Sequence, residues 1–207
     1  MATDSTQIKL DNVRLSFPDI WKAKQVQKDS EPKFGAQFLL DKKEHAELIK
    51  SVKQVLWKAA VDHFGKDEAK KLYDKDKLHL CLHEGSDKEY DGYDDSNMYI
   101  SSSSSKRPLI VDRDKTPLAE EDRRPYAGCY VNAIVRIWVQ DNNFGKRVNA
   151  ELMGVQFNRD GEAFGAAPLG EDAFENLDPE KEKGKKGEGG KRRAAAEEEP
   201  DDDEVPF

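Results

Sequence analysis

Residues 130–139 read YVNAIVRIWV and carry the strongest strand pattern in the chain. Side chains of a strand alternate between two faces, and every second residue from Val131 to Val139 is apolar. The other face carries Tyr130, Asn132, Ile134, Arg136 and Trp138. The pattern predicts a strand that lines a core with its first face. The second face suits stacking of unpaired bases, with an arginine to contact phosphate. The alternative is a second covered face, with Arg136 paired and Trp138 packed under a helix.

Further strands are indicated on both sides of this one. Residues 141–145 form a turn and residues 147–157 return, which predicts a β-hairpin. Alternating apolar residues predict the remaining strands at 8–17, 34–40, 78–83 and 98–101, with a short edge segment at 108–111. In the first of these the phase slips at Asp11 and Asn12, which indicates a bulge, and Phe17 shares the apolar face with Val13 and Leu15.

One clear helix interrupts the strands. Asp41 is a candidate N-cap with Glu44 three residues later, and apolar residues then recur at helical spacing up to Phe64. Gly65 ends this helix, and a second short helix is expected over residues 66–73. Short strands, a hairpin and a helix inserted after the second strand fit a small closed β-structure better than a parallel α/β sheet.

The charge of the chain is concentrated at its C-terminal end. The formal net charge is −8, and residues 197–207 hold seven acidic residues and no basic one, so the rest sums to −1. Residues 171–207 contain few apolar side chains and are expected to be disordered, which predicts one domain over residues 1–170 followed by a tail. Two cysteines, no long apolar run and no secretory signal pattern predict a cytoplasmic protein without a membrane span.

Candidate binding residues gather in the second half of the domain, where residues 98–159 hold seven arginines. The candidates for stacking are Tyr99, Tyr130, Trp138 and Phe144. The candidates for phosphate contacts are Lys106, Arg107, Arg113, Arg136, Lys146 and Arg147. The serine run at residues 101–105 could add hydroxyl contacts to phosphate, but a flexible loop is the simpler interpretation.

Two other kinds of site are alternatives to a binding surface. His79, Cys81 and His83 share one strand face and could ligate zinc, although no further ligand motif accompanies them. Loop acids at positions 87, 91, 94 and 95 could hold Mg²⁺ for a nuclease, but a solvated acidic loop is the simpler interpretation. No nucleotide-binding glycine motif or serine-nucleophile elbow occurs, so the expectation is no cofactor, no metal and no enzymatic activity. An adaptor that acts through its acidic tail alone is a third possibility.

Residues 8–165 resemble a family of bacteriophage single-stranded DNA-binding proteins. The matching segments are 13–17 (VRLSF), 34–36 (FGA), 106–108 (KRP), 126–132 (YAGCYVN), 137–138 (IW), 145–147 (GKR) and 154–157 (GVQF). The resemblance implies an OB-fold, a small Greek-key barrel with a helix inserted between strands. It also implies a protein that coats and protects single-stranded DNA in phage DNA replication, recombination or repair.

The C-terminal residues resemble the acidic tip of bacterial single-stranded DNA-binding proteins. They are Asp201, Asp202, Asp203, Glu204, Val205, Pro206 and Phe207. The resemblance implies that this tip recruits replication or recombination proteins, such as a polymerase, a primase or helicase, or a recombinase. The sequence leaves open whether the chain forms homo-oligomers.

Overall fold

The computed structural model describes residues 6–25, 30–143 and 145–165 of the chain. Within these residues the chain forms eight strands and two α-helices. They are β1 (Gln7–Lys24), β2 (Lys33–Asp41), α1 (Ala46–Phe64), α2 (Lys66–Asp74), β3 (Leu78–Leu80), β4 (Leu82–Glu84), β5 (Asn97–Ser104), β6 (Leu109–Val111), β7 (Tyr130–Asn142) and β8 (Gly145–Arg159). The predicted tail at 171–207, including its acidic tip, lies outside the described residues, as does Phe144.

Five strands close into a barrel in the order β1–β2–β5–β8–β7, with β7 returning to β1. Neighbouring strands are antiparallel except β5 and β8, which run parallel where Ser102 lies opposite Ala150. A small Greek-key barrel of five strands is the architecture of the OB-fold. The expected mainly-β class and OB-fold are therefore confirmed, and both helices lie between β2 and β5 along the chain.

The barrel interior follows the alternation read from the sequence. On β7, the residues Val131, Ala133, Val135 and Ile137 are all buried, which confirms the predicted core face. Helix α1 joins the same core through Ile49, Val52, Leu56 and Ala60. Within the described ranges, neither helix has the length and apolar character needed to cross a bilayer.

The strand predicted at residues 78–83 is in fact two strands that break at Cys81. β3 pairs in parallel with β8, whereas β4 pairs antiparallel with β5. At the break, the Cys81 amide donates to the Val148 carbonyl at 2.9 Å, and the Ser101 amide donates to the Cys81 carbonyl at 2.9 Å. Residues 78–84 therefore connect β8 to β5 through β3 and β4, next to the two residue pairs by which β5 and β8 pair directly.

Strand β1 confirms the predicted bulge and corrects the placement of Phe17. The register with β7 shifts between Leu10 and Val13, and Asn12 adopts a φ of 53°. Phe17 also has a positive φ, 46°, and its side chain is 43% exposed. This left-handed backbone turns the ring away from the core face that Val13 and Leu15 occupy, so the alternation does not extend to Phe17.

The serine run is a second correction, because it is part of a strand and not a flexible loop. Residues 101–104 belong to β5 and pair with β2 along its length. Ser102 and Ser104 face inward and are buried, and the Ser102 hydroxyl donates to the Ala36 carbonyl at 2.9 Å. The remaining hydroxyls, on Ser101 and Ser103, lie on the outer face of the strand.

Asp41 caps a turn that precedes α1, and the helix begins at Ala46, four residues later than an N-cap at Asp41 predicts. Its carboxylate accepts hydrogen bonds from the amides of Lys43 at 2.7 Å and Glu44 at 2.8 Å. These two amides, with Glu44 contributing most, hold the pKa of the Asp41 carboxyl below its usual value of 3.8. A carboxylate stabilised in this way contributes to folding only while it is ionised.

We expect Asp41→Ala to lower the free energy of unfolding by about 1 kcal/mol at neutral pH, a usual loss for a capping carboxylate. Because the pKa is lower in the folded protein, this contribution is complete above about pH 4 and disappears as the pH falls through the folded pKa. Urea unfolding at pH 7 and pH 3 measures the difference. Asp41→Asn is the matched control, since an amide oxygen can accept the same bonds; an equal loss at both pH values would contradict the assignment.

Candidate nucleic-acid interface

A single row of side chains crosses the outer surface of the barrel at one level. Each member lies directly opposite the next in the strand registers. In order they are Arg159 (β8), Tyr130 (β7), Arg14 (β1), Leu39 (β2), Tyr99 (β5) and His83 (β4). We call these six residues the cross-barrel row. It crosses β2 and β5, the second and third strands of the barrel, whose outer face is the oligonucleotide-binding surface of OB-folds.

The β7 end of the row combines arginines with aromatic rings. The Arg159 guanidinium lies 3.4 Å from the centroid of the Tyr130 ring. The Arg14 guanidinium lies 4.2 Å from the centroid of the Phe164 ring and donates to the Glu162 carbonyl at 2.7 Å. A guanidinium group over an aromatic face makes a favourable cation–π contact. This end of the row therefore presents fixed positive charge beside aromatic surface.

The β5 end of the row is aromatic and uncharged. The His83 ring stacks on Tyr99 at a centroid distance of 4.9 Å, and Tyr99 itself is only 6% exposed. Burial lowers the pKa of His83 below its usual 6.5, which favours the neutral imidazole. Burial likewise raises the pKa of Tyr99.

The acidic loop between β4 and β5 packs against this row, although the sequence suggested a solvated loop. Tyr93 is buried, its hydroxyl donates to Gln37 Oε1 at 2.7 Å, and its ring lies 5.3 Å from Tyr99. Burial raises the pKa of Tyr93 to about 12. Asp94 fixes the loop, because its carboxylate accepts hydrogen bonds from Ser96 and Asn97. The loop therefore adds aromatic rings to the outer face of β2 and β5.

Lys88 of the same loop lies among four aromatic rings. They belong to Phe17, Tyr90, Tyr93 and Tyr99, with centroids 4.6 to 6.0 Å from the ammonium nitrogen. We call these four residues the aromatic cluster. The ammonium also donates to Gln37 Oε1 at 2.8 Å, and burial lowers the pKa of Lys88. The loop thus places one cation within reach of every ring of the cluster.

A polar pocket of about 350 Å³ continues the surface from β4 toward the hairpin. Its polar lining includes His79, His83, Ser101, Ser103, Arg147 and Asn149. Trp138 lies opposite Asn149, one of the lining residues, in the β7–β8 register. Hydroxyl, amide and guanidinium donors around one pocket are the groups that commonly contact phosphate oxygens.

The predicted site residues on β7 and β8 fall into two environments. Trp138 is 43% exposed and is not packed under α1, and Arg147 is exposed. Arg136 is half-buried, with Nε 3.3 Å from the Glu151 carboxylate but without hydrogen-bond geometry. Lys146 is ion-paired with Asp141 at 2.8 Å. Trp138 and Arg147 are therefore the more accessible of these candidates.

The other candidates lie at separate places. Tyr99 and Tyr130 both belong to the cross-barrel row, three strands apart. Lys106 and Arg107 follow β5 and are exposed, and the Arg107 guanidinium lies 5.5 Å from the centroid of the Trp21 ring. Arg113 is exposed in the loop after β6, where its carbonyl accepts a bond from Gln156 at 3.2 Å.

Sequence reasoning missed several residues that line this surface, among them Arg14, Arg159, Lys88, Tyr90, Phe17 and Phe164. The signal for the loop was present, since two tyrosines stand three residues apart in a stretch, 87–95, that holds five acidic residues. The two arginines carried no such signal. They become part of the surface only because the strand registers place each of them opposite Tyr130.

The rival metal sites find no support in the geometry. Among the residues that the structure describes, no three His, Cys, Asp or Glu side chains come together in a way that could hold a metal ion. The Cys81 thiol is buried, and this burial raises its pKa to about 12. The Asp91 and Asp94 carboxylates accept hydrogen bonds from the amides of Gly165 and Ser96, which hold loop segments in place.

Several known proteins are similar to this chain in sequence and in fold. Residues 6–184 match the model of a family described as Enterobacter phage Enc34, ssDNA-binding protein. A curated relative, protein p50 of Acyrthosiphon pisum secondary endosymbiont phage 1, is 41% identical over 181 residues, which cover 86% of this chain and 97% of the relative.

Solved structures extend the similarity to the fold. The single-stranded DNA-binding protein from bacteriophage Enc34, in complex with ssDNA, is 29% identical with a TM-score of 0.67, over 78% of this chain and 90% of that chain. Bacteriophage T7 gp2.5, a single-stranded DNA-binding protein, is 11% identical with a TM-score of 0.51 over 80% of this chain and 91% of its own, which shows a shared fold. The chain therefore belongs to the family of the Enterobacter phage Enc34 single-stranded DNA-binding protein.

Proposed function

We propose that this chain binds single-stranded DNA along the cross-barrel row, the aromatic cluster and the polar pocket. The observation that carries the proposal is the row itself, in which two arginines flank Tyr130 on β8, β7 and β1 and the row then continues over Leu39 and Tyr99 on the second and third barrel strands. Membership of a family whose Enc34 member was solved in complex with ssDNA supports the same conclusion. An OB-fold uses this face for oligonucleotides.

The chemistry of the surface favours unpaired strands over duplex DNA. Aromatic rings stack with bases only where the base faces are open, and each stacked base contributes about 1–3 kcal/mol. Arg14, Arg159 and Arg147 supply positive charge for the DNA phosphate backbone. In this proposal none of them contacts the edge of a base, so they do not select a sequence. The result is a binder that tolerates any sequence, with affinity that depends on salt.

The biological role follows from this binding mode. We infer that the protein coats and protects single-stranded DNA during phage replication, recombination or repair, in the cytoplasm of the host cell. The acidic tip at residues 201–207 would recruit replication or recombination proteins, with Phe207 as its apolar end. Seven acidic residues just before an aromatic C-terminus support this role, because a plain solvated linker does not require an apolar end.

We expect the purified protein to bind a fluorescent dT oligomer more tightly than a duplex of equal length. The logarithm of the affinity should fall linearly with the logarithm of salt concentration, by about 0.7 for each phosphate neutralised. Fluorescence anisotropy across a salt titration measures both. Equal affinity for the two DNA forms, or no salt dependence, would argue against the proposed surface. Cleavage of labelled DNA in the presence of Mg²⁺ would instead favour a nuclease.

A further inference from the structure

A groove runs between α1 and strands β4 and β5, and the proposed function does not use it. It consists of two adjoining cavities of about 520 Å³ and about 600 Å³. The residues that line both cavities, and so mark the middle of the groove, are Lys53, Trp57, Glu84 and Met98. We call the two cavities together the helix groove. His83 lines the second cavity and is the one member of the cross-barrel row found in this lining, so the groove adjoins the proposed DNA surface without being part of it.

The helix groove combines an apolar lining with two exposed aromatic rings. Ile49 and Met98 line the first cavity and are otherwise buried. Trp57 on α1 is 39% exposed, Tyr73 on α2 is 55% exposed, and their rings meet edge to face at a centroid distance of 6.2 Å. Tryptophan and tyrosine are enriched among the residues that provide most of the binding energy at protein–protein interfaces. These features favour a protein surface as the occupant.

The two ends of the helix groove carry opposite charge. Lys50 lines only the first cavity, whereas Asp76 and Asp87 line only the second. Lys50 and Asp76 are both exposed, and among the described residues neither of them has an ion-pair partner. Lys42, also in the first cavity, is already paired with Glu84 at 2.7 Å. Unpaired charges of opposite sign at the two ends make this surface complementary to a second copy of itself.

We propose that a second copy of this chain binds at the helix groove, so that two copies form a two-fold symmetric dimer. The axis passes near Trp57, which lies in the middle of the groove. Such an axis sets the first cavity of one copy against the second cavity of the other. Lys50 of each copy then faces the partner's Asp76, and the exposed Tyr73 ring faces the apolar first cavity.

A second copy fits the charges of the groove better than a partner of a single sign. An acidic segment that filled the groove, such as residues 201–207 of the tip, would set its carboxylates against Asp76 and Asp87. The symmetric arrangement instead joins opposite charges at both ends, and the middle is balanced as well because Lys53 and Glu84 both lie there. The dimer goes beyond the proposed DNA binding and does not depend on it.

Sedimentation velocity of the full-length protein without DNA, over a wide range of concentration, tests the dimer. The wild type should convert from monomer to dimer as the concentration rises. Trp57→Ala should raise the dissociation constant of the dimer at least about 30-fold, the usual loss for a central aromatic residue of an interface. Leu109→Ala is the matched control, because Leu109 is an exposed apolar residue, at 65%, that lies on β6. This control should dimerise as the wild type does.

A charge exchange tests the pairing across the axis. Lys50→Glu and Asp76→Lys should each weaken the dimer about 5-fold or more, because both symmetry-related contacts then join like charges. An equal mixture of the two variants should recover the wild-type affinity, since each contact of the mixed dimer again joins opposite charges. Lys70→Glu is the control, because Lys70 is an exposed residue of α2 outside the groove lining, and it should change nothing.

A wild type that stays monomeric at every concentration overturns the proposal. A dimer that Trp57→Ala leaves unchanged forms through another face, which overturns it as well. So does a mixture of the two charge variants that dimerises no better than either variant alone. Loss of the dimer in Phe207→Ala would show that the acidic tip joins the copies in place of this pairing. Should Trp57→Ala not fold, the charge exchange still decides, because Lys50 and Asp76 are exposed. Failure to bind dT would overturn only the proposed function and leave the dimer standing.

Discussion

Replacing Trp138 by alanine is expected to weaken binding of single-stranded DNA by between about 5-fold and 150-fold, the range for one stacked base. The ring is 43% exposed on the outer face of β7 and lies opposite Asn149 at the edge of the polar pocket. Because the ring lies on the outer face of β7 and is not part of the barrel core, the melting temperature should change by no more than a few degrees. Anisotropy titrations with a dT oligomer, together with thermal unfolding, measure both quantities.

Trp57→Ala is the matched control for this prediction. Trp57 is 39% exposed, but it lies on α1, where its ring packs edge to face against Tyr73 at 6.2 Å. This variant should keep wild-type affinity. If Trp138→Ala binds as the wild type does, the outer face of β7 near the hairpin is not part of the DNA path.

Gly128→Ala is expected to have the largest effect on stability, a loss of roughly 2–5 kcal/mol in the free energy of unfolding. Gly128 has a φ of 101°, which is unfavourable for alanine, and an added Cβ would overlap the Glu162 carbonyl and lie 2.8 Å from Ala163 Cα. Both obstacles are backbone atoms, which cannot rotate away. The melting temperature should fall by about 4–20 °C, at 2–4 °C per kcal/mol for a protein of this size.

A second glycine separates the two causes of this loss. Gly65 has a φ of 80° and a ψ of 154°, a conformation that only glycine readily adopts, with no atom within 4 Å of an added Cβ. Gly65→Ala therefore carries only a backbone penalty of about 1–3 kcal/mol. The excess loss in Gly128→Ala should be accompanied by weaker DNA binding, since Arg14 bonds both Gly128 and Glu162. Equal destabilisation of the two variants would show that residues 161–164 shift at no cost.

Much of the fold could be predicted because its signals are local. The alternation of β7, the turn before β8 and the helical spacing of α1 each depend on neighbouring residues alone. Residues 78–83 show the limit, since their regular alternation reads as one strand while the two halves pair with different partners. The serine run is a strand that its own side chains do not predict. Serine is not a typical strand former, and pairing with β2 determines the structure of this segment.

The site could be predicted only in part, for the same physical reason. Tyr99 and Tyr130 stand on strands whose faces can be read from their sequence. Their relation to one another is not readable, because it depends on the registers of β1 and β2 between them. The spacing of Phe17 from Leu15 predicts a core position for its ring. The positive φ of Phe17 itself turns the ring outward, and no simple sequence pattern predicts that backbone conformation.

Strand β8 pairs with four others, β3, β5, β6 and β7, and it is the last strand of the barrel along the chain. During synthesis, every one of those strands emerges before the partner that completes it. Native pairing on these edges must therefore wait until residues 145–159 have been made, and until then the edges are open to other chains. Because such distant pairings are slow to form, the barrel should close late and in one cooperative step. Rapid production of this protein would consequently expose many incomplete barrels at once, and aggregation of nascent chains would compete with folding at that stage.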